Sequence, residues 1–238
     1  MSFQMVVIGM RGLLLGVALV LLSGCQSVEP RLALVQPYRP QNYRVARTAD
    51  WEDVNRVVLL PISSNCRCPE LSSVEDRFDE TILSELVKAK RFQVVPVSRR
   101  ELNAHYGKRN WSPGESIPSD FFDFMKSSYA ADAVAFVGLT EYQSFPQLIL
   151  GWHGSIVATE SKTLLWEINE VFDSGDREVA AAAERYAFRS LMGAKSAGLV
   201  ASVLNSPSQY AQFTLDAIFR TLGKVPSPAL GNGTLADN

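Results

Sequence analysis

The sequence predicts an α+β fold, an α/β sandwich in which helices pack on one mixed sheet of about five strands. Short apolar runs rich in β-branched residues have the length of buried strands, and they alternate with longer segments whose apolar residues recur at helical spacing. The last three strand-like runs follow one another across short polar connectors, which is typical of an antiparallel meander. The predicted order is therefore β-α-β-α-α-β-β-β-α-α.

The first half of the body begins with a strand and ends with an aromatic helix. Residues 56–62 (RVVLLPI) are predicted to form a buried strand. A helix follows within 72–90, because a capping-box spacing and acids in the first turn stabilise a helix N-terminus. Residues 92–97 form the second strand, and a short helix begins at Ser98 by the same capping logic. Residues 119–129 form the aromatic helix.

The second half of the body consists of three strands and two helices. The strands are predicted at 133–142, 147–158 and 164–173. One helix starts at Asp176. The last covers 206–223, with proline at its first position and glycine past its end, where these residues are favoured.

The N-terminus has the features of a secretion signal. Residues 13–22 are a ten-residue apolar run, shorter than the roughly 18–20 residues that a bilayer span needs. The run leads into Leu22-Ser23-Gly24-Cys25, which resembles the lipobox of bacterial lipoproteins. This resemblance implies that a signal peptide, residues 1–24, is cut off and that Cys25 is acylated.

The same region indicates the cellular location of the protein. Residue 26 is Gln rather than Asp, which by resemblance to enterobacterial sorting favours the outer membrane, facing the periplasm. The two or three acyl chains of a mature lipoprotein anchor it stably. Because a signal peptide places its positive charge first, and Arg11 follows an apolar stretch, we predict that translation starts at Met10. The alternative, a plain membrane anchor over 5–22, would bury Arg11 at a cost of a few kcal/mol.

Four segments are expected in the whole chain. The signal peptide is followed by an extended tether over 25–50, which contains three prolines and little periodicity. A single periplasmic domain covers 51–224. Residues 225–238, with two prolines and two glycines, form a flexible tail.

Charge and histidine content narrow the classes of function. The formal net charge of −2 argues against a nucleic-acid binder, which needs an excess of Lys and Arg. The two histidines, His105 and His153, lack a neighbouring nucleophile motif. We therefore expect no enzyme, no catalytic residue, no metal and no cofactor.

Three carboxylates lie on the last predicted strand, but their spacing does not fit a catalytic acid pair. Glu167 and Asp173 fall on one face of the strand about 20 Å apart, too far for a glycosidase pair, and Glu170 falls on the other face. A solvated strand face is the preferred interpretation.

Cys66 and Cys68 are the two thiols that remain when Cys25 carries lipid. In an oxidising periplasm we expect them to pair, either within the chain or between subunits, as a structural staple of the loop. A redox or partner-linking thiol pair is the second interpretation. Zinc binding is the third, although zinc would need further ligands.

Trp111 stands in a polar loop beside two cations, Lys108 and Arg109. Aromatic residues flanked by cations are common at recognition surfaces, so one interpretation is a partner contact formed by these three residues. The other is a loop anchor, with Trp111 tucked onto the body.

The strand at 57–62, the amphipathic helix 76–90 and the strand at 92–97 followed by Ser98-Arg99-Arg100-Glu101-Leu102 resemble a recurring envelope pattern. The pattern is similar to the N-terminal domain of TolB and to the periplasmic domains of the lipoproteins CsgG and PelC. The resemblance implies a non-enzymatic accessory or scaffold component of an envelope assembly or export system, binding protein partners or itself. The alternatives are a ring-forming subunit of an outer-membrane export complex and an envelope hydrolase.

Overall fold

A mixed seven-stranded sheet with helices on both faces confirms the predicted fold class. The computed structural model describes residues 35–64, 66, 75–190 and 202–223. The chain separates into two units, residues 1–35 and 36–238, and the elements below all belong to the second. The predicted signal peptide, Cys25, Cys68 and the tail 225–238 lie outside the described residues.

The predicted strands and helices are present within the described ranges. The strands are Tyr43–Val45 (β1), Arg56–Leu59 (β2), Ser63–Ser64 (β3), Gln93–Pro96 (β4), Ala133–Gln143 (β5), Ile149–Ala158 (β6) and Leu164–Asp173 (β7). The α-helices are Glu75–Lys88 (α1), Arg99–Tyr106 (α2), Phe121–Tyr129 (α3), Arg177–Ser190 (α4) and Pro207–Phe219 (α5). Short 3-10 turns cover Thr48–Trp51, Ser202–Asn205 and Arg220–Leu222.

The sheet combines a parallel half with an antiparallel half. Its strand order is β1-β7-β6-β5-β2-β4, and β3 pairs with the second half of β5. β2 is parallel to both β4 and β5, while β5, β6 and β7 form the predicted antiparallel meander. Parallel neighbours require crossover connections, and α1 supplies the one between β2 and β4.

Two hydrophobic cores lie on opposite faces of the sheet because side chains alternate along each strand. On β2, Val57 and Leu59 belong to the larger core, which α1, α4 and α5 cover. Val58 belongs to the smaller core, under α2 and α3. The parallel strands are thus buried on both faces, as their uninterrupted apolar sequence predicts.

Helix α2 begins where β4 ends, at the capping box that the sequence predicts. Ser98 Oγ accepts a hydrogen bond from the Glu101 amide at 3.1 Å, and Glu101 Oε2 accepts one from the Ser98 amide at 2.9 Å. This reciprocal pair satisfies two backbone donors at the helix start. It therefore holds the first turn of α2 at the carboxyl end of β4.

Part of the predicted tether belongs to the sheet. β1 lies within 25–50 and pairs antiparallel with β7. Glu170, expected to lie on a solvated face, is only 8% exposed. Its carboxylate accepts hydrogen bonds from the Tyr38 hydroxyl at 2.7 Å and from the backbone amides of Gln41 and Asn42 at 3.0 and 3.1 Å. The sequence does not reveal this strand because all three of its residues are exposed, which leaves no apolar alternation.

Candidate functional site

A pocket of about 680 Å³ opens where the parallel strands β2 and β4 end, and we call it the strand-end pocket. In open α/β sheets, the carboxyl ends of parallel strands are the usual place for ligands. Its apolar lining is formed by Leu59, Leu60, Pro61, Leu83, Pro96 and Val97. Its charged and polar lining comes from α1, α2 and the loop after α2, and consists of Asp76, Asp79, Glu80, Ser98, Arg99, Arg100, Asn103 and Arg109.

Arg99 ties the charged side of this pocket together. Its side chain is 11% exposed and forms ion pairs with Glu75 at 3.6 Å, with Asp76 at 3.3 Å and with Asp79. Asp79 also accepts a hydrogen bond from the Ile62 amide at 2.7 Å. The cluster therefore joins the first turns of α1 and α2 to the segment that follows β2.

The electrostatics of Asp79 indicate a structural role for the cluster. Burial raises the pKa of the Asp79 carboxyl, and this effect outweighs the lowering by the Ile62 amide and the Arg99 guanidinium. Other charged side chains of the pocket can pair with a ligand. Glu80, Arg100 and Arg109 have no ion pair within the described part of the chain. Apolar surface beside unpaired charges of both signs suits a protein segment better than a small anion.

Trp111 does not provide the exposed partner contact, since its side chain is 2% exposed. Its ring packs edge-on against Phe121 and Tyr106, with centroids 5.2 and 5.4 Å away, so the loop-anchor interpretation is the correct one. Lys108 pairs with Glu115 and lies 5.4 Å from the centre of the Trp111 ring. Of the three predicted contact residues, Arg109 alone lines the strand-end pocket.

Cys66 lies next to β3 and is disulfide-bonded. Its sulfur is 3.2 Å from Ser64 Oγ, at the end of that strand. Because Cys68 is outside the described residues, the bond between Cys66 and Cys68 stays a prediction. Over the described ranges, no three His, Cys, Asp or Glu side chains are grouped to hold a metal ion. Over the same ranges, no helix is long and apolar enough to cross a bilayer.

His153 lies in a row of charged side chains on β6, β7 and β1. Its Nε2 is 3.7 Å from Glu167 Oε1, and Glu167 Oε2 is 2.5 Å from Arg44 Nη2. The hydrogen bond from Arg44 is the main cause that lowers the pKa of Glu167. His153 lines neither the strand-end pocket nor the second cavity described below. His105 stacks on Phe124, with ring centres 3.9 Å apart.

The role of Arg99 as the centre of an ion-pair cluster was not predicted, although the sequence contains an indication of it. Arg99 and Arg100 occupy the first turn of α2, where the helix dipole disfavours cations. A cation in that position is stabilised when carboxylates lie nearby, and the acidic first turn of α1 provides such carboxylates. The sequence shows both features, but Arg99 and Asp76 are 23 positions apart, so their pairing is not visible in the local pattern.

No family model matches the chain, and no curated protein matches it either. Among solved structures, a PelC dodecamer from Paraburkholderia phytofirmans is 12% identical, and 72% of this chain overlaps 95% of that one at a TM-score of 0.37. A lipoprotein from Neisseria meningitidis is 11% identical, with 59% and 99% covered at a TM-score of 0.38. The LpoB C-terminal domain from Salmonella enterica is 11% identical, with 52% and 90% covered at a TM-score of 0.34. Each is a partial overlap of the chain path, and none of the three determines what this chain does.

Proposed function

We propose that the chain is a lipid-anchored, non-enzymatic accessory protein of the bacterial outer membrane that binds a protein partner in the periplasm. The strand-end pocket supports this function, since it combines an apolar lining with unpaired charges of both signs. The partner segment would place an apolar side chain against Leu60, Pro61 and Leu83, where β2 and β4 end. Arg100 and Arg109 would contact its acids, and Glu80 would contact its bases.

The anchor in this proposal is Cys25. The apolar run and the lipobox support its acylation, and the envelope location follows from it. Intact mass spectrometry of the protein extracted from membranes tests this part. We expect an N-terminus at Cys25 with the added mass of a diacylglycerol and an acyl chain. A mature N-terminus upstream of Cys25, with no lipid, would contradict it.

Partner binding at the pocket is tested by photo-crosslinking in intact cells. A photoreactive amino acid replaces Arg109 in one strain and Lys126 in the other. Lys126 on α3 is the control because it is also an exposed cation and lies outside the pocket. Its partner is Glu160. We expect one discrete adduct from position 109 that a second change, Leu83→Arg in the pocket, abolishes. Equal adduct patterns from both positions would reject the pocket as the binding site.

A second candidate is the ring-forming export subunit, and the β1 edge favours it. Among the described residues, Tyr43, Val45, Leu164 and Val171 are large apolar side chains that are 39–47% exposed, all on β1 or β7. An unpaired edge strand with exposed apolar side chains can add a second copy of the chain. Light scattering of the acylated protein in mild detergent separates the candidates. A mass many times that of the protomer supports the ring, and a monomer supports the accessory protein.

A further inference from the structure

A second cavity, of about 450 Å³, lies between α4 and α5 beside the segment that leads into β1. Tyr38, Tyr186 and Phe213 supply aromatic rings to its wall, and Pro37 borders it on the N-terminal side. The Tyr186 and Phe213 rings pack against each other, with centres 5.9 Å apart. Tyr38 is held in place by its hydrogen bond to Glu170. The wall is therefore built from side chains with fixed positions.

Three arginines line this cavity, which we call the arginine pocket. Arg185 and Arg189 are one turn apart on α4, and Arg220 follows the end of α5. Among the described residues, the one carboxylate in the lining belongs to Asp216, which forms an ion pair with Arg220. The lining thus carries three positive charges against one negative charge.

Arg185 and Arg189 have no carboxylate partner within the described residues, and part of the Arg185 guanidinium is buried. The Nη1 atom of Arg185 is buried and has no hydrogen-bond partner within the described residues. Arg189 has no ion pair in that part of the chain. A buried donor without an acceptor is destabilising, and more so when the group is charged. Burial is the main cause that lowers the pKa of Arg220. The guanidinium groups of Arg189 and Arg185 lower this pKa further, while Tyr186 and Glu85 raise it. An anion between these groups would remove both penalties.

The position of the pocket indicates where that anion comes from. Pro37 and Tyr38 line the pocket, and Pro37 lies twelve positions after the predicted acylation site at Cys25. A fully extended chain of that length reaches about 40 Å. The pocket is therefore always held within this distance of the membrane surface, where phosphate groups of lipids are concentrated.

We propose that the arginine pocket binds the phosphate group of an anionic phospholipid in the membrane that holds Cys25. The inference rests on the proposed lipid anchor. Guanidinium groups bind phosphate oxygens in pairs of parallel hydrogen bonds, which suits two arginines one turn apart. Bound in this way, the body rests on the bilayer with α4 and the end of α5 toward the lipid. The anchor then sets the orientation of the protein as well as its location.

The test uses the mature acylated protein in lipid nanodiscs. One set of discs contains phosphatidylcholine alone, and the other contains phosphatidylcholine and phosphatidylglycerol in equal parts. Hydrogen exchange of the backbone amides in 183–190 and 216–222 is followed by mass spectrometry. The variant is Arg185→Gln with Arg189→Gln, neither of which loses an ion pair within the described chain. The matched control, Arg100→Gln with Arg109→Gln, removes two arginines from the strand-end pocket.

In wild type we expect these segments to exchange at least about fivefold more slowly in discs with phosphatidylglycerol, since one arginine at an anionic surface contributes about this factor. The control should keep the difference and the arginine-pocket variant should lose it. Equal exchange in both discs, or an undiminished effect in the variant, overturns the proposal. Inorganic phosphate is added to phosphatidylcholine discs as a separate arm. Full protection there would show that the ligand is a free oxyanion and would overturn the lipid source.

Failure of the anchor is detected separately, because an unacylated chain does not co-elute with discs of phosphatidylcholine alone. The exchange experiment is then repeated with the chain and the discs mixed. Protection that requires phosphatidylglycerol and the two arginines would still support the pocket. Its absence would overturn the pocket together with the anchor.

Discussion

Two arginine clusters in this protein differ in how their charge is balanced. In the strand-end pocket, Arg99 contacts three carboxylates, and its side chain is almost fully buried. In the arginine pocket, Arg220 pairs with Asp216, and Arg185 and Arg189 have no ion pair within the described residues. The first cluster is complete within the chain, and the second needs an anion from outside.

The number of arginines in a cluster therefore does not by itself indicate a binding site. α1 turns its acidic first turn toward Arg99, so the guanidinium serves as a joint between two helices. α4 and the end of α5 bring arginines toward each other, so charge accumulates. Substitution should therefore have opposite effects on stability in the two clusters.

The largest expected effect is that of Arg99→Met. Without Arg99, the half-buried carboxylate of Asp79 loses its cation, which costs about 3 kcal/mol of the free energy of unfolding. We place it at the lower end of the range for buried pairs because the Asp79 side chain is 27% exposed. Urea unfolding followed by tryptophan fluorescence measures the loss. The control Arg100→Met, at an exposed position, should change stability by less than about 0.5 kcal/mol. Equal stability of the two variants would refute the structural role of Arg99.

An intermediate effect is expected for Glu170→Ala. The Tyr38 hydroxyl and the backbone amides of Gln41 and Asn42 lose their common acceptor, at a cost of about 2 kcal/mol. We expect faster trypsin cleavage at Arg44 and an arginine pocket without its Tyr38 wall.

The control for this prediction is Glu167→Ala on the same strand. It removes an ion pair to Arg44, whose side chain is 79% exposed, so it should cost less than about 1 kcal/mol. Similar cleavage rates in the two variants would show that Glu170 does not hold the N-terminal segment.

The smallest effect, of opposite sign, is expected for Arg185→Met. Methionine has a similar length and no buried donor to satisfy, so the free energy of unfolding should rise by about 0.5–1 kcal/mol in the absence of lipid. Arg189→Met, at an exposed position, should be neutral. Thermal unfolding in detergent measures both. A clear loss of stability from Arg185→Met would break the contrast between the two clusters.

Local sequence was sufficient for most of the fold. The start of α2 was predictable because the capping box joins Ser98 to a residue three positions away. The three strands of the meander were predictable because their apolar runs and connectors are continuous in sequence. β1 was not, because its identity as a strand depends on a pairing with β7 about 120 residues later.

The candidate site was predicted less well than the fold. Arg109 was chosen as a contact residue and lines the strand-end pocket. For Trp111, two residues later, the sequence left a partner contact and a loop anchor open, and the residue is buried against Phe121 and Tyr106. The local pattern is the same for both residues. Which one is exposed depends on how the loop folds onto two helices.

Side-chain periodicity and helix caps act over a few residues, so the sequence alone determines the helices, the longer strands and their order. The partners of charged side chains, in contrast, cannot be identified from the local sequence. Arg99 meets Asp79 across 20 residues, and Tyr38 meets Glu170 across 132. Such contacts form only when packing of the sheet and helices brings distant segments together. Packing therefore decides which charges are neutralised inside the protein and which remain for a ligand.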